Sequence, residues 1–189
     1  MTRDRDVFIP LEDRPAIART KGADLFVSIH VNANRKRQAR GIETYIQGLR
    51  ASDLDAMATA ARENATTSRT LGELDDELTK ILTGLRMESN DEDSIHLAHA
   101  VQRSLMNAVK PIQGRAADLG VKRAFFYVLI NTGMPSILAE VGFISNPAEE
   151  KLLRKRSYRQ AIAEALYDGV KKYVDTREPK TADLGGSAS

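Results

Sequence analysis

Apolar residues recur along this chain in two rhythms. Four short runs cluster or alternate as strands do: Asp24–His30, Gly41–Ile46, Ala124–Ile130 and Ser136–Glu140. The first contains Leu25-Phe26-Val27-Ser28-Ile29-His30, which is rich in β-formers and too short for a stable helix. Its alternation assigns Leu25, Val27 and Ile29 to one face and Phe26, Ser28 and His30 to the other. In Ser136-Ile137-Leu138-Ala139-Glu140 the same rule groups Glu140 with Leu138. His30 and Glu140 thus end their strands, at the edge where ligands bind in open α/β sheets.

The second rhythm is helical. Leu11–Lys21 predicts a helix, provided that Pro15 falls in its first turn. Ile95, Ala98, Val101, Leu105 and Ala108 form a stripe over Ser94–Val109. Asn146-Pro147-Ala148-Glu149 reads as a helix start, with a capping side chain, proline at the first position and an acid at the third. Ser157-Tyr158-Arg159-Gln160 reads as a capping box ahead of the stripe Ile162, Leu166, Val170 and Tyr173. Strands alternating with helices predict a layered α/β domain. Leu49–Asp93 breaks the alternation: it is acidic and lacks strand character. Leu54, Met57, Ala58 and Ala61 mark one amphipathic helix in it, and Leu78, Ile81, Leu82 and Leu85 another, so it reads as a helical insert. From Asp175 onward the chain reads as a flexible tail.

Composition narrows the chemistry. The 189 residues suit one domain, and 42% hydrophobic with 29% charged residues excludes a disordered chain. A net charge of +2 gives no reason to expect a nucleic-acid or membrane partner, and Arg35, Lys36, Arg37 and Arg40 read as a solvated loop. The absence of cysteine excludes disulfides, a thiolate zinc site and a cysteine nucleophile. No run reaches the roughly 18 apolar residues of a membrane-spanning helix, and no secretory signal is visible.

Three places carry candidate chemistry. His30 is either a hydrogen-bonded structural residue or a metal ligand held in a fixed direction by its strand. Glu140, in the apolar stretch Leu138-Ala139-Glu140-Val141-Gly142-Phe143, is either an ion-pair partner or an acid/base whose pKa burial raises. His96 and His99, with Glu92 one turn earlier, have metal-ligand spacing but read as ordinary surface in an acidic segment.

Taken together, several segments resemble the zinc-dependent N-acetylmuramoyl-L-alanine amidase family. Thr2-Arg3-Asp4-Arg5-Asp6-Val7-Phe8-Ile9-Pro10-Leu11, with Arg14 and Ala18, is similar to that family's arginine-containing opening segment. Gly22–Asn32 resembles its Ser-Ile-His-x-Asn zinc motif, and Gly41-Ile42-Glu43-Thr44-Tyr45 its next strand. Met134–Asn146 resembles the motif that carries the catalytic glutamate.

The resemblance implies a three-layer α/β catalytic domain over residues 1–174, with a mixed, mainly parallel sheet flanked by helices and a helical insert at 49–93. It implies hydrolysis of the amide between N-acetylmuramic acid and L-alanine in peptidoglycan, with Zn2+ as cofactor, His30 as a zinc ligand and Glu140 as the catalytic carboxylate. Ala61-Arg62-Glu63-Asn64 resembles the blocking helix of cell-separation amidases, where Glu63 would fill zinc's open position until an activator protein displaces the insert. Glu63 nevertheless projects opposite the Leu54/Met57/Ala58/Ala61 stripe, which leaves open that it is an exposed surface glutamate. A monomer in the periplasm or cell envelope is expected, with no nucleic-acid partner.

Family members begin with a strand leading to an Asp-x-Gly-His-Gly-Gly-like motif and a later glutamate, which supply two further ligands. Neither appears here. The sequence therefore predicts an N-terminally truncated domain, or a misplaced start, with poor zinc binding and an unfilled position in the sheet. The alternative is a catalytically inactive remnant acting as a cell-wall-binding or regulatory module.

Overall fold

The computed structural model describes residues 1–65, 90–114 and 116–177. Its strands are β1 (Phe26–Asn32), β2 (Ile42–Gln47), β3 (Asp118–Ala124) and β4 (Ser136–Phe143). The helices are α1 (Asp13–Thr20), α2 (Leu54–Asn64), α3 (Asn90–Gln113), α4 (Pro147–Leu153) and α5 (Arg156–Arg177), with a 3₁₀ turn at Tyr127–Leu129. One sheet runs in the order β1-β4-β2-β3. β1 is parallel to β4 and β2 to β3, while β2 and β4 are antiparallel. The sheet is therefore mixed and mainly parallel, as expected.

β4 is buried at all eight positions, which is why its sequence is nearly continuous in apolar residues. One face of the sheet presents Ile42, Ile46, Ile137, Ala139 and Val141 to α3 and α5, through Leu97, Val101, Leu105, Ile162 and Leu166 among others. The opposite face carries Phe26, Tyr45 and Leu138 against Leu11, Ala18, Ala56, Ala60 and Phe126. His30, Glu43 and Glu140 belong to this second face by strand alternation.

The carboxyl ends of the strands are fixed by α4. Asn146 caps it, accepting from the N–H groups of Ala148 and Glu149, with Pro147 at the first position. Glu149 then turns inward, accepting from Gly41 N at 2.9 Å and Phe143 N at 2.7 Å. This ties the start of β2 to the end of β4. Burial raises the Glu149 pKa, and the two N–H groups oppose that rise. Gly41 has φ +115°, and a Cβ there would lie 2.2 Å from the Ala117 carbonyl oxygen.

Several expectations need correction. The third strand is not Ala124–Ile130 but Asp118–Ala124. β3 lies at the edge of the sheet, so it carries Lys122 and Arg123 at half-buried positions, whereas the apolar run after it fills the core through a turn. Ser157 lies inside the first turn of α5 rather than at its cap, because the helix begins at Arg156. α5 also continues through Asp175 to Arg177, into the stretch expected to be tail, and Lys171 pairs with Asp175 one turn on. On α2 the expected stripe is inverted: Leu54, Met57, Ala58 and Ala61 are exposed, while Ala56, Thr59 and Ala60 face the sheet. The Leu78/Ile81/Leu82/Leu85 pattern and residues 178–189 lie outside the described residues.

Pro15 does fall in the first turn of α1. Arg35, Lys36, Arg37 and Arg40 are exposed in the loop between β1 and β2. Among the described residues, no helix is long and apolar enough to cross a membrane. Among the described residues β1 pairs only with β4, and Ile29 beside its other edge is 56% exposed.

The contact between α3 and α5 depends on Gly169. A Cβ at that position would lie 2.6 Å from Val101 Cα, too close for backbone to yield. Gly169→Ala should destabilise the protein by about 1–3 kcal/mol, the usual cost of overpacking. Urea denaturation checks this; an unchanged midpoint would show that the two helices separate freely.

Candidate functional site

The parallel register of β1 and β4 pairs His30 with Glu140. The antiparallel register of β2 and β4 pairs Glu43 with the same Glu140. Three side chains from three strands are thus fixed on one face by backbone pairing alone. α2 crosses above them, with Asp53 as its cap, accepting from Ala56 N at 2.7 Å. Its inward face is the one that places Glu63 over the strands, and Glu63 Oε2 lies 2.5 Å from His30 Nδ1. The other ring nitrogen, Nε2, is 3.0 Å from Ser28 Oγ.

His30, Glu63 and Glu140 each offer a ligand atom, and these atoms lie within 4.8 Å of one another. The set of one imidazole and two carboxylates suits a divalent cation such as zinc. Glu140 strengthens that fit. It is fully buried, and neither carboxyl oxygen has a hydrogen-bond partner. A buried carboxyl left in that state is costly unless it is neutral or faces a cation. Burial is the main reason its pKa rises to about 9, with Glu63 and then Glu43 adding to the rise and Arg62 opposing it.

A second layer surrounds this cluster. Asn32, buried at the end of β1, donates from Nδ2 to Glu43 Oε1 at 2.7 Å. Its Oδ1 accepts from Arg62 at 2.6 Å and from Ala33 N at 2.7 Å. Glu43 Oε2 is 3.0 Å from Lys122 Nζ, which also reaches Asp53 at 3.2 Å. Burial by itself would depress the Lys122 pKa, but Glu43 and Asp53 outweigh it and the pKa is raised. Asn64 closes the helix end, donating to Phe125 O at 2.8 Å and accepting from Tyr127 N at 3.0 Å.

Of the residues singled out from sequence, His30, Glu63 and Glu140 come together, and Glu63 is not a free surface side chain. His96 and His99 are exposed on α3, and His96 makes only a 3.8 Å approach to Glu92. Asn32, Glu43 and Lys122 were assigned no role from sequence. A glutamate inside Ile42-Glu43-Thr44-Tyr45-Ile46 was the available signal, since a charge within a fully buried strand requires a partner.

A cavity of about 740 Å³ lies along β1, lined by Arg14, Phe26, Ser28, Ile29, His30 and Glu63 among others. The cluster therefore opens onto a cleft large enough for a ligand.

Known proteins share this arrangement of sequence and fold. The N-acetylmuramoyl-L-alanine amidase family matches residues 1–172. The amidase AmiA of Escherichia coli K12 is 33% identical over 174 residues, covering 92% of this chain and 60% of its own length. The amidase AmiC of Neisseria meningitidis is 35% identical over 180 residues, covering 93% of this chain and 42% of its own. The chain thus spans about half the length of these relatives. Among solved structures, an N-acetylmuramoyl-L-alanine amidase from Clostridium difficile 630 superposes with a TM-score of 0.64 at 29% identity, over 93% of this chain and 70% of that one. By the match that runs nearly from end to end, the chain belongs to the N-acetylmuramoyl-L-alanine amidase family.

Proposed function

We propose that this chain is catalytic sequence of a zinc-dependent amidase that cleaves the bond between N-acetylmuramic acid and L-alanine in peptidoglycan, held closed by α2. The observation that carries the reading is the convergence of His30, Glu140 and Glu63 within 4.8 Å, with His30 and Glu63 lining a cleft. His30 and Glu63 would hold the ion in the closed state. Zinc, when bound, supplies Lewis acidity toward the amide carbonyl and toward water.

Glu140 is the proton carrier. With no metal bound, burial and the Glu63 and Glu43 carboxylates favour its neutral acid. Departure of Glu63 removes one of these and favours the carboxylate, the form that takes a proton from water and passes it to the leaving amine. The same movement that opens the cleft therefore shifts the acid/base group toward its working form.

α2 is built for release. Its buried apolar contribution is essentially Ala56 and Ala60, worth about 0.8 kcal/mol per methyl-sized group. The polar contacts of Asp53, Arg62, Glu63 and Asn64 hold it more strongly, at about 0.5–3 kcal/mol each. Meanwhile Leu54 and Met57 face solvent at 79% and 56% exposure. That stripe suits an activator protein that binds the helix and draws it off, a role for residues 49–93 as a regulatory insert. An envelope location follows from the substrate.

One observation favours a second reading, a non-catalytic wall-binding or regulatory module. Once Glu63 leaves, His30 and Glu140 are the only members of the described metal cluster that remain. Zinc content and release of L-alanyl peptides from purified peptidoglycan separate the two readings.

Three variants test this reading. Glu140→Gln should lower turnover on peptidoglycan by about 10²–10⁴-fold with zinc content unchanged. The same variant, free of metal, should be more stable than wild type at pH 8 and nearly equal to it at pH 5. The sign follows from a folded pKa raised to about 9: the stability tied to the neutral acid is complete below the ordinary carboxylate range and drains away as pH rises toward 9. Denaturant titrations at the two pH values check this, and a difference that does not grow with pH would contradict it.

His30→Ala should weaken zinc binding at least as much as loss of an outer partner does, about 10–100-fold, measured by competition with a chelating dye. Retention of stoichiometric zinc at wild-type affinity would remove His30 from the ligand set.

Glu63→Ala should lower zinc affinity yet raise peptidoglycan cleavage at saturating zinc. The point substitution is preferable to deleting the helix, because α2 covers Tyr45 and Phe126 on the sheet. Unchanged cleavage in a folded, zinc-loaded variant would end the autoinhibition reading.

A further inference from the structure

The side chains around Asn32 define an acceptor aimed at α2. A carboxylate only accepts hydrogen bonds, so the 2.7 Å contact with Glu43 Oε1 requires Asn32 to present Nδ2 on that side. Its Oδ1 must then face Arg62. Glu43 is itself held by Lys122 at 3.0 Å, so the orientation is set by a buried chain of Lys122, Glu43 and Asn32. Asn32 and Glu43 are 1% and 2% exposed, which leaves neither room to swing.

In the closed state this acceptor is satisfied by Arg62, one residue before Glu63 on α2. The helix thus fills three places at once: Glu63 at His30, the Arg62 N–H at Asn32 Oδ1, and Thr59 Oγ1 at Asn32 Nδ2, 3.4 Å away. When α2 leaves, Oδ1 keeps only the Ala33 N–H and regains a free lone pair beside the reacting centre. Water or a ligand N–H must then fill that position.

We propose that Asn32 Oδ1 is a substrate-positioning acceptor that takes a neutral amide N–H of the muramoyl-peptide, and that Arg62 imitates this donor in the closed state. Glu43 and Lys122 are its positioning residues. A neutral donor is favoured over a cation because Lys122 already balances the Glu43 charge, and it stays with Glu43 when Asp53 moves off with the helix. The proposal rests on the amidase reading for its substrate class. Two amides of the substrate could supply the donor: one in the stem peptide beyond L-alanine, and the acetamido group of the sugar.

The test is binding of N-acetylmuramoyl-L-alanyl-D-isoglutamine to the zinc-supplemented full chain by calorimetry. Arg62→Ala should bind it about 10-fold more tightly than wild type. Adding Asn32→Ala should abolish that gain. Two analogues identify the donor: one with an ester in place of the alanyl–isoglutamine amide, the other lacking the N-acetyl group. The analogue that shows no gain with Arg62→Ala has lost the recognised N–H.

Glu43→Gln gives a second, independent route should Asn32→Ala fail to fold. Its amide should turn its oxygen to Lys122 and its NH₂ to Asn32 Nδ2, which removes the hydrogen bond that fixes Asn32. In the Arg62→Ala background the ligand should then lose its gain. No binding in any variant, or a gain that survives both Asn32→Ala and Glu43→Gln, would overturn the proposal. Peptidoglycan cleavage by the same preparations keeps the two claims apart. Cleavage with Asn32-independent binding removes only this inference, whereas Asn32-dependent binding without cleavage removes only the amidase reading.

Discussion

The Glu140 carboxyl, buried at the centre of the sheet without a hydrogen-bond partner, constrains everything around it. β4 is flanked by strands and covered on both faces, so no water is available to solvate the group. Parallel pairing with β1 brings His30 alongside, and antiparallel pairing with β2 brings Glu43. Two further carboxylates, Glu43 and Glu63, close around it, and each makes its ionisation harder. A fold that gathers carboxyl groups in this way is unfavourable as structure alone. It becomes intelligible when a cation belongs at the same place.

The polar layer around the cluster answers the same constraint. Lys122 compensates Glu43, Asn32 fixes the remaining Glu43 oxygen, and Arg62 fills the Asn32 acceptor. α2 completes this arrangement through polar side chains more than through apolar area. That balance differs from the α3–α5 side of the sheet, where Leu97, Val101, Leu105, Ile162 and Leu166 form a continuous apolar core. One layer is therefore held by apolar area, and the other by polar contacts.

This division also explains what the sequence made legible. The strands that carry His30 and Glu140 stood out through their short β-forming apolar runs, and the motifs around them pointed to the same chemistry, although both strands run on, to Asn32 and to Phe143. The helices on the apolar side stood out through stripes such as Val101, Leu105 and Ala108. α2 was misjudged in orientation because amphipathicity is a guide only when a helix packs on an apolar surface. Its floor is polar at one end, so Thr59, Arg62 and Glu63 face inward beside Ala56 and Ala60, and its larger apolar residues face outward. β3 was displaced in the reading because an edge strand tolerates Lys122 and Arg123, while the apolar Phe126, Val128 and Leu129 serve a buried turn. The Lys122–Glu43–Asn32 chain could not be read from spacing, since it joins three strands through register alone.

The account stands most directly on where a metal binds. Crystals of the protein grown with zinc, measured on both sides of the zinc absorption edge, give an anomalous map that locates the ion without assumption. The account predicts one strong peak at His30, with Glu63 as a further protein contact and Glu140 beside it. A peak elsewhere, such as at His96 and Glu92, or none in the presence of saturating zinc, would contradict it.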